Sequence, residues 1–251
     1  MESNKQLQAR FQKVNLLDYK GDQPLKIAKA DQSHRVFTTY NIDGLNQTED
    51  PISIDFTVKK ASNIKLLDKE KDQPAQHKRS LQFNCNIEEE ALLFFDKREI
   101  IPSDNSNINQ HIKVNVTEDA EFIWSEIVHL DEVSDYHYYS LMEIWAEEQC
   151  LAYDPVQFDG SEEMLAHHGM TESYPYVASI WYISPDPPFD EWDVQQRLSQ
   201  AKNHRAGMTD IDGKGILIRW LSTDLTLLKQ EMDDVLAFFD EKITELRKWR
   251  V

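Results

Sequence analysis

The stretch Ile52-Ser-Ile-Asp-Phe-Thr-Val58-Lys-Lys-Ala61-Ser-Asn-Ile64-Lys-Leu-Leu67 holds two short apolar runs joined by a charged bend. Ile52, Ile54, Phe56 and Val58 alternate with Ser53, Asp55 and Thr57, a period of two that places one face of a strand in a core and the other in water. The same grammar returns twice. Leu81, Phe83, Cys85 and Ile87 alternate, and Ile87-Glu-Glu-Glu-Ala91 leads into Leu92-Leu-Phe-Phe95. Ile112, Val114 and Val116 alternate, and Val116-Thr-Glu-Asp-Ala120 leads into Phe122-Ile-Trp124. Ala61, Ala91 and Ala120 are 30 and 29 residues apart. Each unit reads strand, charged turn, small residue, strand. A period near 30 with two strands per unit predicts an elongated β-solenoid-like fold or a sandwich of stacked hairpins.

Outward from these repeats, strands are predicted over Phe122–Leu130, Tyr136–Ile144 and Ala178–Ile183. Proline breaks fall at Asp154–Val156 and Ser184–Phe189. The run Ser184-Pro-Asp-Pro-Pro188 divides a β-rich scaffold, residues 1–184, from a C-terminal helix-hairpin-helix segment, residues 185–251, packed on it as one unit. In that segment Phe189–Asn203 is predicted as a short helix capped by Asp190, and Met208–Leu221 as a hairpin around Asp212-Gly213. Leu228, Met232, Val235, Leu236, Phe239, Ile243 and Leu246 are spaced by threes and fours, so Leu225–Trp249 is predicted as a long amphipathic helix. Ser222, Thr223 or Asp224 would cap it. The fold class is therefore mainly β, with two helices near the C-terminus.

Composition narrows the function. Lys plus Arg is 27 and Asp plus Glu is 45, a net charge of −18. That sign repels phosphate backbones, so no nucleic-acid partner is expected. Met1–Lys13 is polar and lacks the apolar run of a signal peptide. The charge-free stretch Ser173–Pro185 is too short to span a bilayer. No membrane partner is expected, and the cytoplasm is the expected compartment. Cys85 and Cys150 form no Cys-x-x-Cys pair and read as small buried hydrophobes. Seven glycines leave no phosphate-binding loop, and they leave Asn, Asp and Lys to make the turns. Among eight histidines only His167-His168 is a tight pair, read as exposed loop residues with metal ligation as the minority reading. No G-x-S-x-G and no catalytic spacing stands out, so no enzyme is announced. Glu88-Glu-Glu90 reads as a solvated turn.

Seven segments in series resemble the UreD (also called UreH) family of urease accessory proteins. Pro24-Leu25-Lys26-Ile27 is similar to that family's Pro-Leu-Arg-Val strand. Phe37-Thr-Thr-Tyr-Asn-Ile-Asp-Gly44-Leu45 is similar to its strand entering a glycine-glycine-leucine turn. Glu90-Ala91-Leu92-Leu93-Phe94-Phe95, then Glu99-Ile100-Ile101-Pro102, resembles its next strand region. Ala120-Glu-Phe-Ile-Trp124-Ser-Glu126, Leu141-Met-Glu-Ile-Trp145 through Asp154, Ser179-Ile-Trp-Tyr-Ile183 and Gly215-Ile-Leu-Ile-Arg219-Trp-Leu-Ser222 resemble later strands. The chain departs from the family in its loops. Asp43-Gly44-Leu45-Asn-Gln-Thr-Glu49-Asp50 replaces a loop richer in glycine, and Leu130-Asp131-Glu132 stands where the family has Leu-Gly-Arg.

The resemblance implies a non-enzymatic scaffold that binds the urease apoprotein and the F accessory protein, which docks the G-type GTPase. It implies no tightly bound cofactor, with nickel in transit through an internal water-filled channel. Carried over residue by residue, the channel acids are Glu49 or Asp50, Glu126 and Asp154. Such oxygens attract a passing cation without trapping it. Two alternatives stand beside this reading: a carbohydrate-active enzyme on a β-solenoid, and a binding module that has kept the fold and lost the nickel pathway.

Overall fold

A computed structural model describes residues 4–30, 36–69, 78–130, 135–160, 171–172, 174–199 and 203–248. Fifteen strands and two helices are present among them. A seven-stranded sheet, sheet A, contains β1 (Lys5–Gln12), β2 (Asn15–Gly21), β5 (Ile52–Val58), β7 (Lys78–Ile87), β9 (Asn107–Val116), β11 (His137–Ala146) and β12 (Gln149–Asp159) in the order β12-β11-β9-β7-β5-β1-β2. An eight-stranded sheet, sheet B, contains β3 (Lys26–Lys29), β4 (Thr38–Asp43), β6 (Asn63–Asp68), β8 (Leu92–Asp96), β10 (Glu121–His129), β13 (Tyr176–Ile183), β14 (His204–Asp210) and β15 (Gly215–Ser222) in the order β14-β15-β13-β10-β8-β6-β4-β3.

The repeat is a solenoid turn rather than a hairpin. The two strands of each unit lie in opposite sheets, and strands of successive units pair in parallel. Ile52 pairs with Leu81 and Leu81 with Gln110, while Asn63 pairs with Leu92, so each turn of the chain takes 29 residues. The alternating apolar residues of both sheets point inward. Leu7, Ile54, Phe83, Phe95 and Trp124 belong to one buried cluster between the sheets.

The register corrects the repeat read from the alanines. At 29 residues, Ala91 and Ala120 correspond to Ser62, not Ala61. Ser62, Ala91 and Ala120 are all buried at the corner where the chain passes from one sheet to the other. Ser62 is tolerated there because its Oγ accepts a bond from the Lys13 backbone N–H at 2.7 Å. Ala61 instead matches Glu90, and both are exposed with positive φ, 56° and 58°. Among the described residues eight non-glycine positions adopt positive φ, and Asn, Asp, Lys and Glu make up seven of them, in keeping with the scarcity of glycine.

The C-terminal segment continues sheet B. β14 and β15 form the hairpin around Asp212-Gly213, and β15 pairs with β13. The helix predicted over Phe189–Asn203 is only α1, Glu191–Gln195. Asp190 takes the extended cap conformation but makes no side-chain capping bond. Four residues past α1, Ser199 is held instead by Glu231, which accepts its backbone N–H at 3.0 Å. The long helix α2, Leu225–Lys248, matches its predicted span closely, and Asp224 caps it by accepting the Leu227 N–H at 3.0 Å. Cys85 is buried, but Cys150 is exposed, against the expectation. It lies at the hairpin end of β12, an edge strand of sheet A.

α2 lies on the outer face of sheet B, where Leu228, Met232, Val235, Phe239 and Ile243 join Leu92, Ile123, Ile180 and Ile218 in a second core. Sheet B is thus buried on both faces, and every residue of β10 is buried. Ion pairs to buried acids bolt the helix down. Lys229 Nζ lies 2.6 Å from Glu99, whose other oxygen meets His129 Nε2 at 3.0 Å. Arg247 Nη2 lies 2.7 Å from Glu121, which also accepts the Tyr182 hydroxyl at 2.9 Å. Burial works to raise the Glu99 carboxyl, but His129 and Lys229 outweigh it and hold the group at about 2.

Candidate functional site

One rung of the sandwich breaks the apolar pattern. In sheet B, Asp68, Lys97 and Glu126 stand 29 residues apart, each one step past or on the register of its neighbour strand. The row continues through Ser179 and Arg219, which pair in register with Glu126 and with each other. Its charges therefore run minus, plus, minus, neutral, plus. Asp68, Lys97 and Glu126 are 5%, 1% and 9% exposed. Unpaired, any one of them would cost several kcal/mol to bury; alternation of sign is what makes the row tolerable.

Sheet A faces this row with matching polar groups. Gln110 Oε1 accepts a bond from Lys97 Nζ at 3.1 Å. Gln110 Nε2 lies 3.0 Å from Glu126 Oε2, 2.9 Å from the Tyr138 hydroxyl and 2.9 Å from Ser140 Oγ. Arg79 Nη1 donates to Asn46 Oδ1 at 2.6 Å. Burial pushes the Lys97 ammonium down to about 8, with Arg79 acting in the same direction and Glu126 and Asp68 opposing it. Burial and the nearby Glu126 charge raise the Tyr138 hydroxyl well above its ordinary value, against hydrogen bonds from Ser140 and Gln110. The rung separates the large inter-sheet core from a smaller cluster of Ile100, Ile108, Val128, Tyr138 and Phe158.

At the far end of the rung the sheets part around a cavity of about 500 Å³. Glu126, Ser140 and Ser179 line it together with apolar residues such as Met142 and Trp181. Asp154 of β12 and Arg219 of β15, both at its rim, form an ion pair that joins sheet A to sheet B. Lys97, Gln110 and Arg79 are not among the lining residues, so the cavity ends at Glu126.

Of the acids singled out in the sequence, two come together here: Glu126 and Asp154 share the cavity. Glu49 and Asp50 lie elsewhere, in the loop between β4 and β5. Glu49 is exposed, and Asp50 pairs with Lys5 at 3.6 Å. Their loop touches the rung through the Asn46–Arg79 bond. His167 and His168 lie outside the described residues. Among the described residues no group of three or more His, Cys, Asp or Glu is placed to hold a metal ion. Among the described residues no helix is long and apolar enough to cross a membrane.

Sequence reading missed Asp68, Lys97, Gln110 and Arg79. Their signal was available once the period was known: Asp68, Lys97 and Glu126 repeat at 29 residues at the phase that Leu66, Phe95 and Trp124 give to the core two residues earlier.

Comparison with known proteins fits this architecture. Residues 54–250 match the family model described as UreD urease accessory protein. The urease accessory protein UreD of Sporosarcina pasteurii is 28% identical over 163 residues, covering 62% of this chain and 63% of that protein. The protein of the same name from Lysinibacillus sphaericus (strain C3-41) is 28% identical over 152 residues, 58% of this chain and 57% of its own. That from Staphylococcus epidermidis is 22% identical over 168 residues, 63% and 60%. The aligned part thus spans under two thirds of each relative's length. The family model covers well over half of the chain, and the chain belongs to the UreD family of urease accessory proteins.

Proposed function

We propose that this chain is a non-catalytic scaffold for urease maturation that binds the urease apoprotein and the F-type accessory protein, through it the G-type GTPase, and assists nickel delivery to the urease active site. Family membership supports the maturation role and sets aside the carbohydrate-active reading. The observation that carries the nickel step is the polar rung: buried acids, an amide and hydroxyls cross a core that is otherwise apolar and open at Glu126 into the cavity that Asp154 borders. Nickel here is cargo. Glu126 and Asp154 offer it oxygen ligands at the cavity, and Asp50 or Glu49 offers them at the loop beside Asn46. A borderline cation is attracted by such oxygens, and a site with few ligands releases it.

Co-expression of urease apoprotein with the F and G accessory proteins, with and without this chain, tests the reading through nickel content and urease activity. Both should collapse without the chain and return with it. Glu126→Gln and Asp154→Asn should then lower activation while the complex still forms. Failure to form a complex with either partner would sink the scaffold role.

A second reading, a binding module without a nickel path, draws on the two cations in the rung, Lys97 and Arg79. Under it, both substitutions leave activation unchanged.

A further inference from the structure

Lys97 stands in the middle of a row that would otherwise be acidic. Asp68 precedes it and Glu126 follows it on adjacent parallel strands, and both carboxylates act on its charge. Gln110 brings an amide oxygen to 3.1 Å from the opposite sheet. The ammonium lies 6.0 Å from the ring centre of Trp124. That indole is fully buried. The amide oxygen touches the ammonium, and the two carboxylates flank it along the row; carboxylate and amide oxygens are the ligand types of a hard or borderline divalent ion. The chain fills that place with a monovalent cation tethered to its own backbone.

The balance of charge sharpens the point. Asp68 and Glu126 carry two negative charges, Lys97 and Arg79 two positive ones, and Arg219 at the end of the row is matched by Asp154. An arriving divalent ion meets a neutral rung, and loss of Lys97 would leave it with one net negative charge in a site of low dielectric, where that charge acts strongly.

We infer that Lys97 is a specificity-determining residue of the rung: its ammonium holds the place of a divalent cation between Asp68 and Glu126, and a metal ion passes Glu126 only by moving it aside. This rests on the reading of the rung as a nickel route. It explains why a conduit for a metal would carry a buried lysine at all. A tethered cation offsets the charge of the acids when no cargo is present, and it sets a threshold that weakly binding ions do not cross.

The test is a titration of the purified full chain with nickel chloride alone, read by calorimetry and by metal content after dialysis. Lys97→Gln and Lys97→Met remove the charge; Lys97→Arg keeps it. Either neutral variant, once shown to unfold cooperatively, should take up one nickel per chain at least tenfold more tightly than the parent. The gain should vanish in the double variant Lys97→Gln with Glu126→Gln, and Lys97→Arg should show none. The assignment is overturned if a folded neutral variant binds nickel no better than the parent, if the arginine variant binds as well as the neutral ones, or if the gain survives loss of Glu126. It is also overturned if neither neutral variant folds, because an ammonium the fold cannot spare is not one that moves aside. No urease is present in this titration. A negative result here therefore leaves the activation experiment standing, whereas nickel uptake without any effect on activation removes the route and keeps the cation site.

Discussion

Gln110 of sheet A places its Nε2 3.0 Å from Glu126 Oε2 of sheet B while its Oε1 accepts the Lys97 ammonium, so one amide serves both signs of charge across the sandwich. Gln110→Leu strips that partner from two buried charges at once. Each buried group left unsatisfied costs about 1–3 kcal/mol, so a loss of about 3 kcal/mol is expected, read from the denaturant midpoint at unchanged m-value. A loss under about 1 kcal/mol would mean that water takes over the bonds of the amide.

Acid should loosen the attachment of α2 through Glu99. Its carboxyl is held at about 2 against an ordinary 4.5, so the folded chain binds the proton more weakly than the unfolded one. The contribution is complete above about pH 4.5 and is lost as pH falls toward 2. The displacement corresponds to about 3 kcal/mol at about 1.4 kcal/mol per pH unit. Thermal melting at a series of pH values should show Glu99→Gln less stable than the parent near neutrality, with a flatter decline between pH 4.5 and 2. Parallel declines would place the acid sensitivity elsewhere.

Arg247 ties the last turns of α2 to the solenoid. Besides Glu121 it reaches Asn63 and the Glu90 carbonyl, the latter at 3.1 Å. Arg247→Ala takes the guanidinium from a nearly buried carboxylate that keeps its bond from the Tyr182 hydroxyl, at a cost of about 3 kcal/mol. Amide exchange should rise in residues 240–248 first. Uniform exchange along α2 would show that the helix leaves the sheet as one unit.

The corner positions give opposite outcomes one residue apart. Ser62 is fully buried, and Ala61 is exposed at a position where the next turn carries Glu90. Ala61→Glu should stay within about 0.5 kcal/mol of the parent, as surface changes do. Ser62→Leu, which overfills the corner, should cost about 1–3 kcal/mol. Melting temperatures of the two variants decide it, and equal effects would contradict the register described above.

The strands of the solenoid were legible because their alternation is local: Ile52 to Val58 and Leu81 to Ile87 declare a face without reference to anything distant. The corner was misplaced by one residue because Ala61 looks like the small residue that recurs as Ala91 and Ala120, whereas Ser62 is small and satisfied by a bond from Lys13, 49 positions away. The false extension of the helix after Asp190 has a similar origin, since Ser199 is claimed by Glu231 on α2. Glu126 drew notice as an acid on an apolar strand. Lys97 did not, because it follows β8 in the charged run Asp96-Lys-Arg-Glu99 and reads as surface. Only its phase against Asp68 and Glu126 marks it as interior. Asp154 and Arg219 lie 65 residues apart and meet only where two sheets end.

A body wound in equal turns can grow or shrink only in whole turns. Each turn adds one strand to each sheet, or about 4.8 Å along the stack. Excising one 29-residue turn that contains Lys97 would rejoin the strands in register and keep the inward face apolar, yet it would bring Asp68 beside Glu126. A length change that the backbone accepts would be refused by the electrostatics of a single rung. The alternating row thus acts as a ruler, fixing how many turns separate the loop that carries Asp50 from the cavity that Asp154 borders.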